Sequence, residues 1–165
     1  MTWNQAELHA FFAFVAAMPR AALLAGARLR AGDTLAAVDT LIEQVGVCRD
    51  FAHLMIALCR AVNIPARFAT GIDYGADPAL GPTDFHAYVE AFLGDRWYIF
   101  DPSGTAIPMG FVRLGTGRDA ADVSFATIFG TVQSAAPKIG IEAVANAQGN
   151  LIVPHHCDQA ISTDA

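Results

Sequence analysis

The sequence predicts an α+β fold in which helices from the first part of the chain pack on an antiparallel sheet from the later part. Two observations carry this reading. Up to about residue 62 the apolar residues recur at helical spacing, and beyond Pro65 they alternate as strands do. Between two of the alternating runs stands Gly94-Asp95, a two-residue hairpin signal.

The elements follow in order. Leu8, Phe11, Phe12, Val15 and Met18 mark an amphipathic helix that Pro19 ends or kinks. Asp33 or Thr34 caps a second helix with Leu35, Val38, Leu41, Ile42 and Val45 as its stripe, and Gly46 breaks it. A third helix starts close to Cys48, with Phe51, Leu54, Met55, Leu58 and Val62 on one face and Pro65 beyond its end. Arg67 to Ile72 then reads as a strand, and Tyr74 to Pro82 as a loop rich in Gly, Pro and Asp. Phe85 to Leu93 and Trp97 to Asp101 flank the Gly94-Asp95 turn, with Pro102 ending the second strand. Two weaker strands are expected at Gly110 to Leu114 and Ile139 to Ala145.

The chain's 165 residues suit one domain, and 54% hydrophobic against 16% charged residues make a sizeable core and exclude disorder. A formal net charge of −6 provides neither a basic nucleic-acid face nor a polybasic membrane signal. The three cysteines, an odd count, do not suggest a disulfide framework. The longest apolar run, Ala10 to Met18, is too short to span a bilayer, and Glu7 without a basic residue is a poor signal-peptide start. A cytoplasmic location is the expectation.

Cys48 is the first candidate for chemistry. At a helix N-terminus its sulfur meets unpaired N–H groups and the positive end of the dipole, which favours thiolate, and Arg49 adds positive charge. Equally, a free cysteine can be a small buried hydrophobe. The hairpin tips the balance, although His86 and Asp101 taken alone also fit an ordinary surface ion pair. If Leu93 pairs with Arg96, Asp101 lies across from Tyr88 and diagonal to His86 on the same face. A carboxylate there orients the imidazole and stabilises its protonated form. A three-residue turn would instead put His86 and Asp101 on opposite faces. Cys48 with a paired His86 and Asp101 is the parts list of a thiol acyl-transfer site.

These residues lie in segments that resemble the transglutaminase-like superfamily, in particular its bacterial branch described as cysteine proteases. The resemblance runs from about Gly46 to Gly104, on Gly-Val-Cys-Arg-Asp-Phe-Ala-His-Leu at 46–54, Ala-Leu-Cys-Arg-Ala-Val-Asn-Ile-Pro-Ala-Arg at 57–67, Asp-Phe-His-Ala-Tyr-Val-Glu at 84–90 and Trp-Tyr-Ile-Phe-Asp-Pro at 97–102. A fainter continuation is Gly-Arg-Asp-Ala-Ala-Asp at 117–122. The resemblance implies a papain-like core with Cys48 as nucleophile, His86 as general base then acid, and Asp101 as orienter. It also implies a single transglutaminase-like domain over 1–165, with a catalytic core at about 33–122, a helical segment at 1–32 and weakly defined C-terminal strands and tail at 123–165. Two departures stand out. Family members usually carry a longer β-rich region before the core, and animal-type transglutaminases have an aromatic residue where this chain has Arg49, which favours hydrolysis over cross-linking.

The expected function is a cysteine peptidase or amidase acting on a peptide or protein amide through a thioester. Amine transfer comes second within that class, and a catalytically silent binding domain is the alternative outside it. The Cys48 N–H is one expected oxyanion donor; Gln44 is a weak second, more readily an exposed helix residue. Asp50, Arg60, Arg67 and Glu90 read as structural, His53 as solvated or locally bonded, Cys59 as inert core, and Tyr74 and Tyr88 as packing aromatics. His155, His156, Cys157 and Asp158 are too closely spaced to close one metal site and read as a frayed tail. Gly115-Thr116-Gly117 lacks the context of a nucleotide loop, so no cofactor is expected.

Overall fold

The structure, a computed structural model, describes residues 34–43, 46–74, 84–135, 138–157 and 159–164. Outside them lie the expected helix at Leu8–Met18, Gln44, Asp158 and most of the Tyr74–Pro82 loop, while the capping and stripe side chains of Asp33, Thr34, Leu35 and Val45 are likewise not described.

Two helices come first: α1 over Thr34–Glu43 and α2 over Cys48–Ala61. Strands β1 (Ala66–Asp73), β2 (Phe85–Leu93), β3 (Arg96–Phe100), β4 (Phe111–Gly117) and β5 (Ile161–Ser162) form one five-stranded sheet in the order β4-β1-β2-β3-β5. Every pairing is antiparallel. The expected α+β class is therefore what folds. No described helix is long and apolar enough to cross a membrane.

The hairpin has the two-residue turn that its sequence requires. Gly94 takes φ +69°, a left-handed value that glycine adopts without a Cβ penalty. Leu93 pairs with Arg96 and Val89 with Phe100, which brings Asp101 to the side of the sheet that carries His86.

Helix α2 packs on one sheet face, where Ala52, Met55, Ile56 and Cys59 meet Phe68, Ala87, Val89, Ala91, Tyr98 and Phe100. This corrects the expected stripe. Phe51, Leu54 and Leu58 are only half-buried, and the helix turns its small Ala52 inward so that its backbone can approach the sheet. Helix α1 departs similarly: Ala37 and Thr40 are buried while Ile42 is exposed. Ala69, Tyr88, Ile99 and Ala106 form the second core on the opposite face, with Phe111 and Ile161 against them.

The C-terminal part departs most from expectation. No strand forms at Ile139–Ala145; the last strand is β5, within the stretch read as a frayed tail. It closes the β3 edge, where Thr163 N donates to Trp97 O (2.9 Å) and Trp97 N to Asp164 Oδ2 (2.7 Å). Two residues of alternation are too few to be seen in a sequence, and the edge of β3 is what selects them.

Candidate active site

Cys48 is the first residue of α2, half-buried against the helix-side core. Asp50 Oδ2 accepts the Val47 N–H at 3.0 Å, so its carboxylate closes the helix start as the structural reading expected. Ahead of the sulfur stand the backbone N–H groups of Ala87 and Arg49 and the His86 ring. Burial disfavours the thiolate, but the His86 hydrogen bond, the Ala87 amide and the imidazolium charge outweigh it and hold Cys48 below an ordinary thiol. Arg49 contributes its main-chain N–H; its guanidinium is exposed and turned to Asp50 at 3.5 Å.

His86 projects from β2 on the other face of the sheet, beside Tyr88. Its Nε2 lies 3.2 Å from Asp101 Oδ1. The imidazole side chain is 11% exposed and the Asp101 carboxylate 2%, so the pair works in a largely dry setting. Burial alone would lower the His86 pKa, but the bonds to Asp101 and Cys48 overcome it and push the group up to about 9. Asp101 is likewise buried against its charge. Bonds from His86, Ser103 and the Ala106 amide nevertheless keep it below the usual carboxylate range.

The structure thus brings together Cys48, His86 and Asp101, the three residues singled out in the sequence. Such an arrangement can hold a thiolate–imidazolium pair with a fixed tautomer.

The transglutaminase-like superfamily model matches residues 17–102, just over half of the chain. The chain belongs to the transglutaminase-like superfamily. The match starts earlier than the Gly46–Gly104 resemblance and stops short of its faint extension to Asp122. Among solved structures, the chain is similar to a "putative cysteine protease" from Cytophaga hutchinsonii, at 43% identity and a TM-score of 0.54, over 78% of this chain and 37% of that one. It is also similar to an uncharacterized protein of Mycobacterium leprae, 35% identical over 92 residues, covering 53% of this chain and 33% of the relative. An uncharacterized protein of Mycobacterium bovis is 30% identical over 96 residues, covering 52% and 31% respectively. This superfamily chain spans about a third of the length of the curated relatives it matches.

Sequence reading missed two groups around these three residues. The first is Ser103, whose N and Oγ donate to Asp101 Oδ1 at 3.0 and 2.6 Å, while Thr105 Oγ1 lies 2.9 Å from its hydroxyl. Its signal was present, because Asp-Pro-Ser-Gly is an Asx-type turn in which the carboxylate bonds two residues on. The second is Asp73, buried at the end of β1, whose Oδ1 accepts the Tyr88 hydroxyl at 3.1 Å. Burial raises the Asp73 pKa more than the Tyr88 bond lowers it. No local pattern announces that contact, since it joins two strands.

The remaining assignments divide. Cys59 is 1% exposed and burial pushes its thiol up to about 12, as inert core requires. Arg67 and Glu90 form an ion pair at 2.6 Å, and Arg113 closes on the same carboxylate at 2.6 Å. Arg60 acts structurally through the carbonyls of Ala66 (3.0 Å) and Arg118 (2.6 Å). His53 bonds far from its own helix turn: its Nε2 accepts the Ala120 N–H at 3.2 Å. Tyr88 is fully buried against His86 and Phe111. Among the described residues no group of three His, Cys, Asp or Glu side chains is placed to hold a metal ion.

Proposed function

We propose that this chain is a thiol-dependent acyl-transfer enzyme, a cysteine peptidase or amidase that works through Cys48, His86 and Asp101. The observation that carries it is His86, whose Nε2 stands 3.2 Å from the buried Asp101 carboxylate and whose ring stands close enough to Cys48 to shift its thiol. Membership of the superfamily and the similarity to the Cytophaga hutchinsonii protein support the same class.

In the proposed cycle the Cys48 sulfur attacks the carbonyl carbon of a peptide or protein amide. The Cys48 main-chain N–H, at the positive helix end, donates to the developing oxyanion. His86 passes its proton to the departing amine and then takes one from water as the thioester is hydrolysed. Asp101 keeps the ring oriented and carries the charge that stabilises imidazolium. Cys48, Cys59 and Cys157 are all free thiols, the state a reducing compartment such as the cytoplasm maintains.

The test is the pH dependence of iodoacetamide alkylation at each cysteine, read by mass spectrometry in the native chain and in His86→Ala. Cys48 is expected to react fastest and to stay reactive well below pH 8, and His86→Ala to abolish that low-pH reaction. Ordinary thiol behaviour at Cys48 in both proteins would show a silent binding domain instead.

A further inference from the structure

At the start of β2, one residue before His86, stands an aromatic pair that the proposed chemistry does not use. In β2, Phe85 lies two residues before Ala87, whose N–H faces the Cys48 sulfur, and strand alternation puts both side chains on the face that α2 covers. The chain beyond β4 returns to this face. Ala120 and Val123 pack on the helix-side core, the Ala120 N–H is held by His53 of α2, and Phe125 then meets Phe85 with ring centroids 4.6 Å apart.

Phe125 is nonetheless 72% exposed, and Ile128 and Phe129 continue the apolar surface at 58% and 87%. An aromatic pair partly in contact and partly in water, two residues along β2 from the amide that faces the Cys48 sulfur, has the character of an apolar subsite wall. Its position relative to the imidazole indicates which part of a substrate it meets. His86 projects to the opposite sheet face and protonates the leaving amine, so the amine half lies toward the ring. The acyl half then lies on the α2 side, against the two phenylalanines.

We infer that Phe85 and Phe125 form the acyl-side specificity wall of the site and select substrates with a large apolar side chain next to the scissile carbonyl. This rests on the assignment of Cys48 as nucleophile. Contact with Phe125 removes both surfaces from water, and apolar subsites of this kind discriminate by about 10-fold or more.

The test uses two electrophiles, N-acetyl-phenylalanyl and N-acetyl-alanyl chloromethyl ketone. In each the thiolate forms a C–S bond as chloride leaves. Alkylation at Cys48 is followed by mass spectrometry on the native chain, Phe125→Ala and Phe125→Leu, with glutathione as the reference thiol and iodoacetamide as the control. Relative to glutathione, the phenylalanyl reagent is expected to be favoured by about 10-fold. That preference should fall close to 1 in Phe125→Ala and largely persist in Phe125→Leu, with each rate divided by the iodoacetamide rate of the same protein so that any change in thiol reactivity cancels. No preference in the native chain, or one that Phe125→Ala leaves intact, overturns the proposal and points to a different occupant for the exposed apolar surface. An iodoacetamide reaction at Cys48 that does not depend on His86 is a separate result. It removes the nucleophile assignment and the wall with it.

Discussion

His86 Nε2 and Asp101 Oδ1 stand 3.2 Å apart although fourteen residues of chain, including a hairpin turn, separate them. The carboxylate is 2% exposed and takes two more hydrogen bonds from Ser103 on that same oxygen. A charge held this firmly in a dry setting costs stability unless its partners stay in place. The partners are therefore where the site is most sensitive.

The first expected outcome concerns pH. His86 rises from its ordinary 6.5 to about 9, so its contribution to stability is complete below 6.5 and is lost as pH rises through about 9. Cys48 is shifted the other way, below 9.0, and the thiolate's contribution is lost as pH falls through its folded value. In the native chain the two trends offset each other between these limits, because the folded pair and the unfolded pair each hold one proton. Cys48→Ala removes one of the two partners that raise His86, so the imidazole titrates below 9 in the variant, and its thermal melts should lose stability as pH rises from 6.5 while the native chain stays flatter. Parallel curves for the two proteins would show that no proton passes between these residues.

Asp101→Asn keeps the shape and removes the charge. The ring loses the partner that fixes its tautomer, and the Ser103 hydroxyl loses its charged acceptor. Turnover of an amide substrate should fall by roughly 10²–10⁴-fold while the fold persists. A stopped-assay comparison with far-UV circular dichroism on the same samples checks both halves.

Ser103→Ala removes the 2.6 Å hydroxyl bond to Asp101 Oδ1 but leaves the Ser103 N–H in place. With one donor gone, the carboxylate is held less firmly and becomes more basic. We expect a loss of about 1 kcal/mol in kcat, close to fivefold, with KM unchanged and recovery in Ser103→Thr. The His86 titration followed by NMR should move upward, a shift that a packing defect alone does not produce.

Glu90 is fully buried between Arg67 and Arg113, and Arg67 also lies 4.0 Å over the Trp97 ring. Arg67→Ala leaves the carboxylate with one partner and uncovers the indole, so a destabilisation of about 2–4 kcal/mol is expected in urea. Glu90→Gln should cost less, because both guanidinium groups are partly exposed and regain water.

Much of this protein was determined within short stretches of sequence. Helical spacing located α2, the alternation after Pro65 located β1, and Gly94-Asp95 set a register that brings His86 and Asp101 to one face. Period and turn chemistry act over a few residues, so they can be read without knowing the neighbours. Tertiary structure decided the rest. It chose Ala52, rather than Phe51 or Leu54, for the inner face of α2, because close approach to the sheet favours a small side chain. It also recruited Ile161–Ser162 to the edge of β3, paired Tyr88 with Asp73 across strands, and carried Phe125 back to Phe85. Each of these contacts joins distant residues through packing, and a single chain of letters carries no local mark of which distant surface a side chain will meet.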